Sequence, residues 1–138
     1  EDNVIPSANS MWAHFFQSLG VIVDRNDWKE QAQLALRAVH SKVFRYGPNF
    51  SNWLDLGLTK AYGAKELVIT GPGAKAAAEY LQRTHYQPGT LVLFSEEASE
   101  LAHFKGRVGH TLTYYLCSNN TCQLSTSDRN ELLKQWKV

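Results

Sequence analysis

No stretch of this sequence is both apolar enough and long enough to cross a bilayer. Uncharged segments such as Asn3–Ala13 are too short or too polar. No charged-then-apolar leader opens the chain. A basic stripe is missing too: 14 Lys and Arg are scattered among 13 Asp and Glu, for a formal charge of +1. Without such a stripe a nucleic-acid partner is not expected. These absences lead us to expect a cytoplasmic protein that engages neither membrane nor nucleic acid. Catalytic signatures are also absent, including a Ser-His-Asp constellation, a nucleophile elbow, a Walker loop and a dinucleotide fingerprint. The five His residues (14, 40, 85, 103 and 110) include no pair at ligand spacing, and a zinc site built on the two cysteines would need two further ligands. No catalytic residue can therefore be named, and no metal or cofactor is expected.

What the chain does contain is an ordinary globular composition, 43% hydrophobic and 20% charged over 138 residues. That length suits a single compact domain with a real core. The organising stretch is Lys65–Ser95. Glu66-Leu67-Val68-Ile69-Thr70 is a short β-branched, apolar run that stops at Gly71-Pro72-Gly73. A helical pattern follows, with Ala74, Ala77, Ala78 and Leu81 on one face and Lys75, Glu79 and Gln82 off it. Pro88-Gly89 then turns the chain into Leu91-Val92-Leu93-Phe94. Strand, helix, strand is the βαβ unit, whose two strands pair in parallel.

Residues 1–63 read as helix throughout. Ser10 is the expected cap of a first helix whose buried face would be Met11, Trp12, Phe15, Phe16 and Leu19. Asp27 with Glu30 has the spacing of a capping box and would open the longest helix, with Trp28, Ala32, Ala35, Val39 and Val43 as its apolar stripe. A third helix runs from Asn52 to Tyr62 and stops at Gly63. Beyond the βαβ unit, Ser95 would cap a short helix over Glu96–Phe104, with Leu101 and Phe104 inward. Thr111–Ser118 reads as a strand with Leu112, Tyr114 and Leu116 on one face, and Asn119-Asn120 as a tight turn into Thr121–Leu124. Asp128 and Glu131 form a second capping box before a last helix that buries Leu132, Leu133 and Trp136. The expected fold is α/β: helices over 1–63, then over 64–138 a βαβ unit and a β-hairpin in a mixed sheet of about four strands, with a C-terminal helix.

Cys117 and Cys122 flank the hairpin turn and should face each other across it. A disulfide, a dithiol and half of a metal site are all geometrically open to such a pair. In a reducing cytoplasm the dithiol is expected to dominate. The turn Gly71-Pro72-Gly73 sits at a strand end and a helix start. Gly71 and Gly73 therefore offer an anion-binding turn, although Pro72 removes one N–H donor and a plain βα turn explains the same residues.

Three segments resemble one family. Val4-Ile5-Pro6-Ser7-Ala8-Asn9-Ser10 is similar to its P-S-G-N-S segment, with Ala8 for Gly. Glu66–Gly71 resembles its strand ending in Gly. Tyr115-Leu116-Cys117 followed by Cys122–Asp128 resembles its final Y-x-C-x4-C-x-x-P-x-T-D signature, with Ser125 for Pro. The family is the YyaL-type, spermatogenesis-associated group of thioredoxin-domain-containing proteins. The resemblance implies a thioredoxin-like domain followed by a six-hairpin (α/α) toroid similar to sugar epimerases and glycosidases, with this chain supplying the last toroid helices and then the α/β segment. The chain would then be a C-terminal fragment, and the rest of the full-length protein its partner. It also implies that Ser7, Asn9 and Ser10 line the toroid mouth, where hydroxyl and amide groups suit a carbohydrate, although helix capping accounts for the same residues. A structural or ligand-shaping segment without catalysis of its own is the expected function. Part of a carbohydrate-active enzyme and a thiol module using Cys117 and Cys122 are the alternatives.

Overall fold

The computed structural model describes residues 1–118 and 121–136, the side chains of Phe44 and Leu124 excepted. It divides into two compact units, Glu1–Gly63 and Ala64–Val138.

The first unit is helical: α1 (Ala8–Ile22), α2 (Asn26–Arg45), a 3-10 turn over Gly47–Phe50, and α3 (Ser51–Tyr62). Its core gathers Ala13, Val43, Phe50, Trp53 and Leu56, with Ala35, Leu36 and Val39 packed against them. The apolar stripe expected of α2 is therefore the one used. Helix α1 differs from expectation. Its buried positions are Ser10, Ala13, Gln17, Gly20 and Val21, while Met11, Trp12 and Phe15 are exposed and Phe16 and Leu19 half-buried. The reason is closeness to α2. A β-carbon built at Gly20 would lie 2.8 Å from Lys29 Cγ and 3.0 Å from Arg25 O, so this interface takes small side chains.

Two caps in this unit also differ. Ser7, not Ser10, caps α1, its Oγ accepting from Ser10 N at 3.3 Å. The N-cap of α2 is Arg25 with no side-chain cap bond. Asp27 turns instead to the Arg25 guanidinium, accepting from Nε at 2.8 Å and Nη2 at 2.6 Å, so no capping box forms.

The second unit contains β1 (Lys65–Thr70), α4 (Ala74–Thr84), β2 (Thr90–Ser95), β3 (Thr113–Ser118), β4 (Thr121–Thr126) and α5 (Arg129–Gln135). Its four-stranded mixed sheet has the order β2-β1-β3-β4. Strands β1 and β2 are parallel, as the βαβ pattern requires, and β1–β3 and β3–β4 are antiparallel. Alternation along β1 divides its side chains between two faces. Leu67 and Ile69 join Tyr114 under α4 (Ala74, Ala78, Leu81) and α5 (Leu132, Trp136). On the opposite face Val68 packs with Cys117 and with Phe104 from the segment 96–110.

That segment is a run of bends and turns, not the expected helix over Glu96–Phe104. Ser95 Oγ donates to Glu97 O instead of accepting from a helix N–H, and Glu96 reaches back to accept from Lys75 N. Phe104 is buried as anticipated, whereas Leu101 is 40% exposed. The last helix holds half of its expected capping box. Asp128 Oδ1 accepts from Asn130 N at 2.8 Å, while Glu131 takes the Thr126 hydroxyl.

Candidate functional site

The register of β3 with β4 places Ser118 opposite Thr121 and Cys117 opposite Cys122. The turn residues Asn119 and Asn120 lie outside the described residues. The expected facing of the two cysteines is thus observed, and their state is a disulfide, with the Cα atoms 3.8 Å apart. A register shift follows at once, because Leu116 pairs with Leu124 and leaves Gln123 as an extra residue on β4. Such a bulge bends its strand and re-aims the adjoining side chain. Cys117 is 3% exposed and Cys122 only half-buried, so the two sulfur-bearing residues differ in access. A hollow of about 240 Å3 beside Cys117 is lined by Leu116, Gln123, Gln135 and Trp136 among others.

Across the ladder from Cys117, on β1, stands Glu66. It is 1% exposed, and His103 from the 96–110 segment, itself 4% exposed, brings Nδ1 to 3.5 Å from Glu66 Oε2. Neither carboxylate oxygen of Glu66 has a hydrogen-bond partner among the described residues. Burying a carboxyl group without hydrogen bonds is costly, and the side chain set beside it is the His103 imidazole. Arg107 closes the cluster by donating from Nη1 to His103 O at 3.3 Å, with its guanidinium 5.3 Å from the Tyr115 ring. Thr70 Oγ1 fixes the same segment by donating to Arg107 O at 2.9 Å.

Sequence reasoning named the cysteines but missed Glu66 and His103. Glu66 enters the sequence reading only as the first residue of an apolar strand run. The available signal was strand parity, since Glu66 shares the face of Val68 and Thr70.

The other residues singled out in the sequence lie elsewhere. At the Gly71–Gly73 turn, the Gly71 amide donates to Ser95 O at 3.1 Å, and the Lys75 amide donates to Glu96 Oε1 at 3.3 Å. The chain's own carboxylate thus takes an amide at the start of α4. Gly71 has φ +92°, and a β-carbon there would stand 2.5 Å from Thr111 O. Close packing therefore accounts for this glycine.

In the helical unit, Ser10 is fully buried and its hydroxyl donates to Asp2 Oδ1 at 2.6 Å. Asp2 Oδ1 also accepts from Ser7 N at 2.9 Å and Ser7 Oγ at 3.0 Å, and Oδ2 from Asn52 N at 3.0 Å. Burial pushes this carboxyl upward, but the four hydrogen bonds outweigh it and hold Asp2 below its ordinary range. Asn9 is exposed and lines an open hollow of about 540 Å3 with Trp12, Val39 and Trp53. Among the described residues no group of three His, Cys, Asp or Glu could hold a metal ion, and no helix is long and apolar enough to cross a membrane.

With this geometry established, comparison with known proteins adds one relationship. Over 97% of its length the chain is 26% identical to Spermatogenesis-associated protein 20 of Rattus norvegicus. It spans 18% of that protein's length. No protein-family model matches the chain, and no solved structure matches it.

Proposed function

We propose that this chain is a structural and ligand-shaping segment that acts as part of a longer protein and has no catalysis of its own. The observation carrying this is the face of α1, where Met11, Trp12 and Phe15 are 55%, 43% and 57% exposed. Three large apolar side chains turned outward on one helix are a surface for further protein. A relative of which this chain matches 18% is consistent with such further protein. On this reading the missing cover is the preceding part of the chain, a thioredoxin-like domain and a helical toroid. The ligand shaped is a carbohydrate held where Asn9 meets Trp12, since an amide and an indole face suit a sugar's hydroxyls and ring.

The test pairs proteolysis of the longer protein with sugar titration. Trp12→Ser with Phe15→Ser should leave the melting of residues 1–138 unchanged while exposing the longer protein to protease at this segment. Unchanged protease resistance would sink the proposal. Saccharide binding by residues 1–138 alone, abolished by Asn9→Ala, would move the assignment to a carbohydrate-active unit.

A second reading is favoured by the Cys117–Cys122 disulfide, which is compatible with a thiol module. Free-thiol counts with and without reductant, on folded protein, decide it. A pair that cannot be reduced without unfolding is a staple only.

A further inference from the structure

Two buried carboxylates in this chain are treated very differently. Asp2 accepts four hydrogen bonds. Glu66, at 1% exposure, accepts none among the described residues and meets only His103 Nδ1, at 3.5 Å. A carboxylate kept for structure collects donors, as Asp2 does. Glu66 instead lies directly across the sheet from a disulfide cysteine. Facing residues on neighbouring antiparallel strands have β-carbons about 4.5–5.5 Å apart, so Glu66 and Cys117, both buried, leave the sheet side by side on one face.

We propose that the Glu66–His103 pair stores and delivers the proton for a reversible disulfide at Cys117–Cys122, cycled by a dithiol partner. The proposal rests on the thiol reading above and adds to it the group that handles the proton.

A thiolate of the partner attacks Sγ of Cys122, the more accessible cysteine. The S–S bond breaks, a mixed disulfide forms at Cys122, and the electron pair leaves on Sγ of Cys117. That sulfur is 3% exposed and has little access to solvent protons. It takes the proton held between Glu66 and His103, and that proton returns to the pair when Cys117 is deprotonated on reoxidation. The partner's second thiolate then attacks its own sulfur in the mixed disulfide and releases Cys122 as a thiolate, which is protonated by water. Two electrons pass from the dithiol to the protein disulfide. The two protons lost by the dithiol to solvent are matched by the two taken up at Cys117 and Cys122.

The other groups on this face do not replace the pair. Strand β2 contributes Leu91 and Leu93, paired with Glu66 and Val68. Strand β3 contributes Tyr115 besides Cys117, and the 96–110 segment contributes Arg107, whose Nη1 is engaged by His103 O. The imidazole and the carboxyl are thus the groups placed to move a proton to Cys117.

The test follows reduction by dithiothreitol and reoxidation, with thiols trapped by alkylation and counted by mass, between about pH 5 and pH 9. Parent protein, Glu66→Gln and His103→Gln are compared. The parent should cycle while folded, and Glu66→Gln should be reduced about tenfold or more slowly, with an altered pH profile. Identical rates and profiles in parent and Glu66→Gln would overturn the role of Glu66 while leaving the thiol reading intact. A parent that gives up its disulfide only on unfolding, seen by near-ultraviolet circular dichroism, would overturn both. If Glu66→Gln does not fold, His103→Gln on the same readouts decides: a parental profile rejects the proposal, and an altered one supports it.

Discussion

Ser10 and Asp2 meet at 2.6 Å, hydroxyl to carboxylate, both buried, and this contact holds the N-terminal segment onto the start of α1. Because Asn52 N donates to the same carboxylate, the contact also reaches the first turn of α3. Ser10→Ala should destabilise the protein by about 2 kcal/mol, the usual scale for losing a hydrogen bond to a charged group. Thermal melting checks this. An unchanged melting temperature would mean that Asp2 is satisfied without the hydroxyl.

The same carboxylate predicts a pH dependence. Its folded pKa lies below the ordinary 3.8, so the folded state binds the proton less tightly than the unfolded state does. The stabilisation is complete well above 3.8 and is lost as pH falls through the folded value. Asp2→Asn should be less stable than the parent at neutral pH, and the gap should narrow in acid. Denaturant titrations at several pH values measure it, and a gap that widens in acid would contradict the sign.

Gly71 and Gly73 both have positive φ, but only Gly71 is crowded. Gly73→Ala should cost about 1 kcal/mol for conformation alone. Gly71→Ala adds a β-carbon 2.5 Å from Thr111 O and should cost about 2–4 kcal/mol. Equal costs would show that the 96–112 backbone yields freely.

Replacing both cysteines, as Cys117→Ser with Cys122→Ser, should leave the protein folded. Their disulfide closes a very short loop, whose entropy is worth at most about 2–3 kcal/mol. Failure to fold would instead show that the disulfide holds the hairpin by more than its loop entropy.

Leu81 and Leu101 should part company. Leu81 is fully buried under the sheet, and Leu81→Ala should cost about 2–5 kcal/mol. Leu101 is 40% exposed on the turn-rich segment, and Leu101→Ala should stay within about 0.5 kcal/mol. Comparable costs would indicate that residues 96–104 pack as a helix after all.

The βαβ unit was legible because each of its signals was local: two apolar runs, two Gly-containing turns and an alanine face between them. Facing of Cys117 and Cys122 followed from strand parity. The inward line of α1 was not legible, because its small and polar residues are selected by the approach of α2 at Gly20. Residues 96–104 were misread because Ser95 and Glu96 spend their side chains on neighbours distant in sequence or outside a helix turn. Glu66 was missed for a related reason: the segment that buries it begins some thirty residues later.

The order β2-β1-β3-β4 also bears on how the chain folds. Pairing of β1 with β2 and of β3 with β4 each joins strands close in sequence, whereas β1 with β3 must close across α4, β2 and the 96–112 segment. Two pieces can thus form early, and their joining carries the larger loop entropy. Substitutions where β1 meets β3, such as Tyr114→Leu opposite Ile69, should slow refolding, while those confined to α5 should chiefly hasten unfolding. The pairing of Glu66 with Cys117 lies at that seam, so it comes into existence only when β1 and β3 join.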